Sequence, residues 1–351
     1  MRAWQRAVAV GLSAASVSLG LAVPASAAKV PVKSVNILFT EHVATPTLDF
    51  LQSRAQANAD FVKSMGANSV TINFRVFTSS FSSNKVYAGT NPSDGTTRTP
   101  TPDELAAAIT VFQNDGLKVT LRPLLDESIM RPQHWRGTIA PLNRAGWFRS
   151  YFSTIKPYLQ IAQTLNVNGF VIQTELQSLA SDPHWNSLIA ESKFVYSAGS
   201  LVWNPVMAPG TTGLIAHSGT STSMDLYPSI NLPDTAKVSQ LVAGWDKWWA
   251  SQTPPADPRK VTIGEVHIVA QDGGFYKTPW MWSGSGAFDQ VIQSKWLTAA
   301  CQFSREHHFA GIGFWFLGMF NPPPSLTVPN TLDPGALQPQ GLAAIQSCFD
   351  G

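Results

Sequence analysis

The feature that most constrains the fold is a series of apolar runs of strand length that recurs along the chain. Most are apolar throughout rather than alternating with polar residues, which is typical of parallel strands buried on both faces. The runs are VKSVNILF (32–39), NSVTINFRVF (68–77), LKVTLRPLL (117–125), NGFVIQTEL (168–176), SLVWNPVM (200–207), STSMDLYPSI (221–230), KVTIGEVHIV (260–269) and GIGFWFL (311–317). They predict eight buried strands.

Helical patterns lie between many of these runs. Residues 48–66 have apolar residues three and four positions apart and stop at a glycine, and residues 101–116 open with a capping box, Thr-Pro followed by Glu. Residues 147–166 and 294–309 also have a helical pattern. Alternating strands and helices in one domain of this size predict a single (β/α)8 barrel.

Two features bear on this assignment. The link at 208–220 is short and rich in Gly and Thr, so it is the weakest unit of the pattern. The rival architecture is an open doubly wound sheet, which normally has a Gly-rich phosphate-binding turn after its first strand. The first strand instead runs into FTEHVATPT (39–47), which contains no glycine.

The N-terminus has the pattern of a secretory signal peptide. Arg2 and Arg6 precede the apolar stretch AVAVGLSAASVSLGLAV, and Ala25-Ser26-Ala27 fits the small-x-small cleavage rule. We therefore expect a signal peptide at 1–27, a barrel domain at 28–351 and a secreted protein; the alternative is an uncleaved anchor. No later run is long and apolar enough to span a bilayer, so no membrane association is expected.

Charge and composition narrow the function classes. Without the two leader arginines, Lys and Arg fall from 24 to 22 and equal the 22 Asp and Glu. A neutral chain gives no electrostatic case for binding nucleic acid. Twelve Trp and 19 Phe in a chain with only 13% charged residues favour a protein that handles carbohydrate, although core packing explains aromatic residues equally well.

The chain has two cysteines, Cys301 and Cys348. In an oxidising compartment they predict one disulfide, which would join the C-terminal tail to a helix. Neither cysteine has His at metal-ligand spacing, and adjacent His307 and His308 point in different directions on a helix. We expect no metal, no organic cofactor and a monomer.

Two of the predicted strands carry a glutamate towards their C-terminal end: Glu175 in QTEL and Glu265 in GEVH. Burying a carboxylate at the end of a strand costs free energy unless the carboxylate is paired with a cation or takes part in catalysis. They come from the fourth and seventh strands, whose ends face each other across the mouth of a closed barrel. Two such carboxyl groups are what glycoside hydrolysis requires, one as proton donor and one ionised. Taken singly, each could instead be a surface or capping carboxylate.

Other polar and aromatic residues lie at the same ends of the strands. They include Asn73, Arg75, Arg122, Asp126, Glu127, Thr174, Trp203, Asn204, Asp225, Tyr227, His267 and Trp315. The sequence has no G-x-S-x-G nucleophile elbow and no metal-ligand cluster, so a serine hydrolase and a metalloenzyme are not indicated.

Several of these motifs together resemble family 113 of the glycoside hydrolases, a group of TIM barrels whose members are β-mannanases. The similar stretches are TPDELAAAITVFQNDGLKVTLRPLLD (101–126), WRG (135–137), the helix with Trp147 and Tyr151, QTEL (173–176), MDLYP (224–228), GEVHIVAQDGG (264–274) and GFW (313–315). The resemblance covers most of the chain from about residue 60 to 317.

This resemblance implies a retaining glycoside hydrolase in which Glu175 is the acid/base and Glu265 the nucleophile. It also implies five sugar-binding candidates: Asp126, Trp135, Asn204, Tyr227 and Trp315. An acid that keeps its proton near neutral pH needs a less polar pocket, so we expect one around Glu175.

Several roles stay open at this point. Ionised Glu265 needs donors, for which Arg75 and Tyr227 are candidates unless they pack structurally. Trp315 either stacks on a sugar or plugs the barrel. Asp126 either binds a sugar hydroxyl or pairs with Arg136 or Arg122.

The leading hypothesis is a secreted glycoside hydrolase that cleaves a β-linked polysaccharide, mannan among the candidates. Alternatives keep the fold but act on a cell-envelope glycan or another hemicellulose, or bind carbohydrate without cleaving it. In every case the partner is a polysaccharide or oligosaccharide.

Overall fold

The computed structural model describes residues 31–39, 46–208, 217–276 and 286–351. The expected signal peptide and most of the link at 208–220 lie outside the described residues. None of the helices in the described ranges has the length and apolarity that crossing a bilayer requires.

The strands form one closed parallel sheet. Neighbouring strands follow the order β5-β4-β3-β2-β1-β9-β8-β7-β6, and an additional pairing of β5 with β7 closes the ring. The closed sheet with alternating helices confirms the predicted (β/α)8 TIM barrel in a single domain. The strands are β1 (Val32–Phe39), β2 (Ser69–Val76), β3 (Lys118–Leu125), β4 (Gly169–Thr174), β5 (Ser200–Asn204), β6 (Val206–Met207), β7 (Ser221–Leu226), β8 (Val261–Val266) and β9 (Gly311–Gly318).

The fifth predicted strand is divided into β5 and β6 at Pro205. Proline has no N–H to donate to a ladder, so the hydrogen bonding breaks there. On one side β5 pairs with β4 and β7, and beyond the break β6 pairs with β7 alone. The barrel therefore has eight strand positions, one of which is occupied by β5 and β6 in succession.

Seven α-helices surround the strands in the described part of the chain. They are α1 (Leu48–Ser64), α2 (Pro102–Asn114), α3 (Arg144–Thr164), α4 (His184–Val195), α5 (Val238–Ala250), α6 (Gln290–Glu306) and α7 (Pro339–Asp350). The capping box predicted for α2 is present: Thr101 accepts from the Glu104 N–H, and Glu104 accepts from the Thr101 N–H.

The apolar core lies between the strands and the helices. It includes the outward-facing strand residues together with tryptophans of the helices, such as Trp147, Trp185, Trp245 and Trp296. The inside of the barrel is more polar at its N-terminal end, where a cavity of about 220 Å³ is lined by hydroxyls from several strands. Arg122 also lines this cavity, on the inner face of β3.

A disulfide joins Cys301 on α6 to Cys348 on α7, as predicted. Both cysteines are buried, and the Arg305 guanidinium donates to the Cys348 carbonyl oxygen at 2.7 Å. In the same turn of α7, the Lys33 side chain donates to the Phe349 carbonyl oxygen. The C-terminal helix is thus attached both to α6 and to the start of β1.

Replacing both cysteines with alanine is expected to destabilise the protein without changing its fold. The bond closes a loop of 47 residues in the unfolded chain, so its loss costs about 2–4 kcal/mol. The thermal midpoint should fall by about 4–8 °C. Reductant should lower the midpoint of the unmodified protein equally and leave the double variant unchanged; equal midpoints for both proteins without reductant would contradict the prediction.

Candidate active site

Glu175 lies immediately after β4, at the C-terminal end of the barrel. Its backbone has φ 57°, in the left-handed region that non-glycine residues seldom adopt, and its N–H donates to the Asn204 carbonyl oxygen at 2.9 Å. The turn ends the strand at Thr174, two residues earlier than predicted. Backbone strain of this kind concentrates at functional sites.

The Glu175 side chain is largely buried and has a cationic partner. Its Oε2 atom accepts a hydrogen bond from Nη1 of Arg136 at 2.7 Å. Arg136 lies in a 3₁₀ turn (Arg136–Thr138) between β3 and α3, and its Nη2 atom also donates to Glu127 at 2.9 Å. The sequence predicted a less polar pocket around Glu175, whereas the structure places a charged guanidinium on its carboxyl group.

Glu265 lies near the end of β8 and is also largely buried. Its two oxygens have separate donors: Oε2 accepts from Nη1 of Arg122 at 2.9 Å, and Oε1 accepts from the Tyr227 hydroxyl. These contacts answer the question left open by the sequence. Tyr227 is a donor to Glu265 as expected, whereas the second donor is Arg122 and not Arg75.

Arg122 joins three strands inside the barrel. Its Nη2 atom donates to Asp225 on β7, and Nη1 donates to Glu265 on β8. The Asn204 amide, at the end of β5, also donates to Asp225, at 2.7 Å. Asn204 was predicted as a sugar-binding residue; in the structure its buried amide holds Asp225.

Burial and charge shift the ionisation of this cluster. Burial raises the pKa of Glu265, the charge of Glu175 raises it further, and Arg122 and Tyr227 oppose the rise. Burial raises the pKa of Asp225 well above its ordinary value. Burial by itself lowers the pKa of Arg122, but the charges of Asp225 and Glu265 outweigh it and the pKa is raised. The guanidinium therefore stays charged.

Glu175 and Glu265 belong to one electrostatic site. The charge of Glu175 acts on Glu265, and both carboxylates act on Arg122 and Arg136. The two carboxyl groups thus lie at the C-terminal ends of β4 and β8, close enough for their charges to interact, on the face of the barrel where TIM-barrel sites are built.

The remaining predicted residues surround this pair. Trp135 is partly buried and packs on a small cluster formed by Val206, Ala208 and Tyr227. Trp315, on β9, is 8% exposed. His267 is buried, with hydrogen bonds to the backbone at Trp315 and Gly335, and burial lowers its pKa to about 4. It is a neutral, structural neighbour.

Asp126 follows β3 and forms an ion pair with Arg75, at 2.8 Å. The sequence had suggested Arg136 or Arg122 as its partner, and both are instead used by the glutamates. Asp126 also accepts from the Ser128 N–H at 2.9 Å, so its carboxylate holds the start of the loop after β3. The Arg75 side chain is 29% exposed.

Three residues of this site were not predicted to be catalytic or sugar-binding, or to be partners of the two glutamates: Arg122, Arg136 and Asp225. A signal was present for Arg122, because a cation within a buried apolar strand requires a carboxylate partner. In the described part of the chain, no group of three or more His, Cys, Asp or Glu side chains is placed to hold a metal ion.

A sequence model of Glycoside Hydrolase Family 113 matches residues 40–318. The chain belongs to glycoside hydrolase family 113. Membership establishes that the protein is a glycoside hydrolase, in agreement with the two carboxyl groups at the mouth of the barrel. No curated protein matches the sequence.

Solved structures of family 113 share the fold. A complex of a "GH113 beta-1,4-mannanase" has a TM-score of 0.70 at 18% identity, covering 91% of this chain and 99% of that one. The family 113 β-mannanase from Alicyclobacillus acidocaldarius has a TM-score of 0.68 at 18% identity, covering 91% and 97%. A family 5 enzyme, GH5_18 from Streptomyces cattleya, has a TM-score of 0.53 at 11% identity, covering 92% and 80%.

Replacing Arg122 with methionine is expected to destabilise the protein strongly. Asp225 and Glu265 would remain buried without their counter-charge, which typically costs about 3–5 kcal/mol. Urea unfolding followed by circular dichroism measures the loss. Adding D225N to R122M should restore part of it, because a neutral amide needs no cation.

A matched control is Arg259→Met, which removes an arginine from an exposed pair with Asp257. Its unfolding curve should nearly coincide with that of the unmodified protein, because exposed pairs contribute little. Equal effects of R122M and R259M would show that the buried network does not stabilise the barrel.

Proposed function

We propose that this protein is a secreted, retaining glycoside hydrolase that cleaves internal or terminal β-linkages of a mannan-like polysaccharide. The observation that carries the proposal is the pair Glu175 and Glu265 at the C-terminal ends of β4 and β8, each bonded to a buried or partly buried arginine. The signal-peptide pattern at 1–27 supports export. The β-1,4-mannanases among the similar structures support the substrate class.

Glu265 is suited to the role of nucleophile. A nucleophilic carboxylate must be ionised when the sugar binds, although burial disfavours its charge. Arg122 and Tyr227 each place a donor on one of its oxygens and offset that cost. Attack on the anomeric carbon forms the glycosyl–enzyme bond and breaks the bond to the leaving oxygen.

Glu175 is suited to the role of acid/base. In the first step it gives its proton to the leaving oxygen, and in the second it takes a proton from the water that releases the sugar. Nη1 of Arg136 donates to its Oε2 atom and fixes the direction of the side chain.

The remaining residues define the sugar site. Trp135 supplies partly exposed aromatic surface beside Tyr227, and the largely buried Trp315 lies on β9, which pairs with the strand of Glu265. Asp126 with Arg75 supplies polar groups at the ends of β2 and β3. These groups bind the pyranose rings on either side of the cleaved bond. The chain acts as a monomer and requires no cofactor.

The direct test is a panel of polysaccharides with the mature chain, residues 28–351. We expect reducing ends from β-1,4-mannan or glucomannan, and little from xylan, cellulose or a cell-envelope glycan. E265A should abolish turnover and E175Q should reduce it by about 10²–10⁴-fold. A protein that binds mannan but releases no reducing ends from any glycan would show a carbohydrate-binding barrel instead.

The two carboxyl groups can be told apart with an aryl mannoside that has a good leaving group. Such a substrate needs no proton donor, so E175A should form the glycosyl enzyme and then stall. Azide fits the space left by the side chain and should restore turnover, yielding a mannosyl azide of retained configuration. E265A lacks the nucleophile, so azide can only attack the substrate directly and give the inverted azide. An inverted azide from E175A would show that Glu175 is not the acid/base.

The pH profile provides a further prediction. Because the charge of Glu175 raises the pKa of Glu265, neutralising it in E175Q should lower that pKa. The acid limb of kcat/KM on the aryl mannoside should therefore move to lower pH, since this limb reports the free enzyme's base. E191Q removes an equal charge from the exposed side of α4 and should leave the limb in place. An acid limb that moves to higher pH in E175Q, or that moves by the same amount in E175Q and E191Q, would contradict the coupling.

A further inference from the structure

The segment Trp135–Arg136–Gly137 contacts the surroundings of both glutamates. Arg136 donates to Glu175 at 2.7 Å. Trp135 packs on the cluster that contains Tyr227, and Tyr227 donates to Glu265. One short turn between β3 and α3 is therefore in contact with the acid/base directly and with the nucleophile through one tyrosine.

Gly137 provides the space in which the Trp135 indole lies. A Cβ atom at this position would lie 2.2 Å from Cη2 and Cζ2 of Trp135 and 2.7 Å from Cε2. Carbon atoms in contact are normally about 3.5–4.0 Å apart, so the indole and a side chain at 137 exclude each other. Gly137 is also buried, so the added methyl group has no route to solvent.

The backbone of the turn is held at several points and cannot easily yield. The Trp135 N–H donates to the Thr138 hydroxyl at 3.1 Å, and the Thr138 N–H donates to the Trp135 carbonyl oxygen at 2.9 Å. Nε of Arg136 donates to the Leu125 carbonyl oxygen at 3.0 Å, which ties the turn to the end of β3. A methyl group at 137 must therefore displace the indole, or displace the turn together with Arg136.

We propose that Gly137 is a positioning residue of the enzyme: its missing side chain seats Trp135 against Tyr227 and keeps Arg136 on Glu175. This inference rests on the proposed function, because it assigns the turn the task of fixing the two acids relative to each other. A small displacement of catalytic groups is enough to reduce turnover strongly.

The test compares G137A with the same substitution at a glycine whose surroundings can accommodate a Cβ atom. Gly89 is the control, because a Cβ there would lie 3.5 Å and 3.8 Å from the Tyr87 ring, which is normal contact. G137A should lower kcat on mannan by about 10–100-fold, with a smaller change in KM. G89A should stay within about twofold of the unmodified enzyme, since ordinary surface substitutions have small effects.

A double-mutant cycle with W135A separates positioning from a general loss of stability. If Gly137 acts by making room for the indole, G137A should cost less than about twofold in the W135A background. The double variant should also fold if G137A alone does not, because the clash is absent from it. Equal losses in both backgrounds, or a G137A enzyme as active as the unmodified one, would overturn the inference.

The outcomes distinguish this inference from the proposed function. If the unmodified enzyme cleaves mannan and E265A does not, while G137A is fully active, only the role of Gly137 fails. If the unmodified protein cleaves no glycan on the panel, the proposed function fails and the role of Gly137 fails with it.

Discussion

The structure depends on one buried cation, Arg122, which crosses the inside of the barrel from β3 to acids on β7 and β8. A charge in this position is tolerated because it donates to two carboxylates, and the Asn204 amide donates to one of these, Asp225. The order of strands places β3 far from β8 around the ring, so this contact forms only when the sheet is closed. The hydrogen bond from Arg122 that orients Glu265 is therefore present only in the closed barrel.

The two catalytic candidates are held in different ways, and the difference suits their proposed roles. Glu265 receives hydrogen bonds from a strand residue, Arg122, and from Tyr227 directly after a strand, so it is fixed by the barrel itself. Glu175 receives its hydrogen bond from Arg136, in a turn outside the barrel. The nucleophile must be ionised when it attacks the sugar, whereas the acid/base changes its protonation state in each step. A rigid set of donors suits the first task, and a single partner on a loop suits the second.

The sequence predicted the strands well because continuous apolar runs require burial on both faces. It predicted their ends less well where one residue departs from the extended backbone, as Glu175 does with φ 57°. The helix predicted from 147 begins at Arg144, because Asn143 caps it by accepting from the Gly146 N–H. The helix α5 was not predicted, although its tryptophans at 245, 248 and 249 show helical spacing.

Within the site, the sequence identified which strand ends carry polar side chains but not how they pair. Its candidates for the partners of Asp126 were Arg136 and Arg122, while the structure pairs Asp126 with Arg75. Pairing depends on the reach of each guanidinium across a curved surface, and the three arginines concerned start from β2, from β3 and from the turn after β3. Burial decides among them: Arg122 is enclosed and must neutralise buried acids, whereas Arg75 remains partly exposed.

Two residues of the loop at 79–98 contact the segment between β3 and α3, which carries the Arg136 partner of Glu175. Phe81 stacks on His134 with ring centroids 3.8 Å apart, and Ser128 donates to Asn91 at 3.2 Å. Phe81 and Asn91 therefore brace the segment that carries Trp135 and Arg136. Substitutions at these two positions would change the support of the turn that places Arg136 on Glu175. The barrel shared at 18% identity sets where the ends of β4 and β8 lie, whereas connecting loops vary more readily between proteins of one fold.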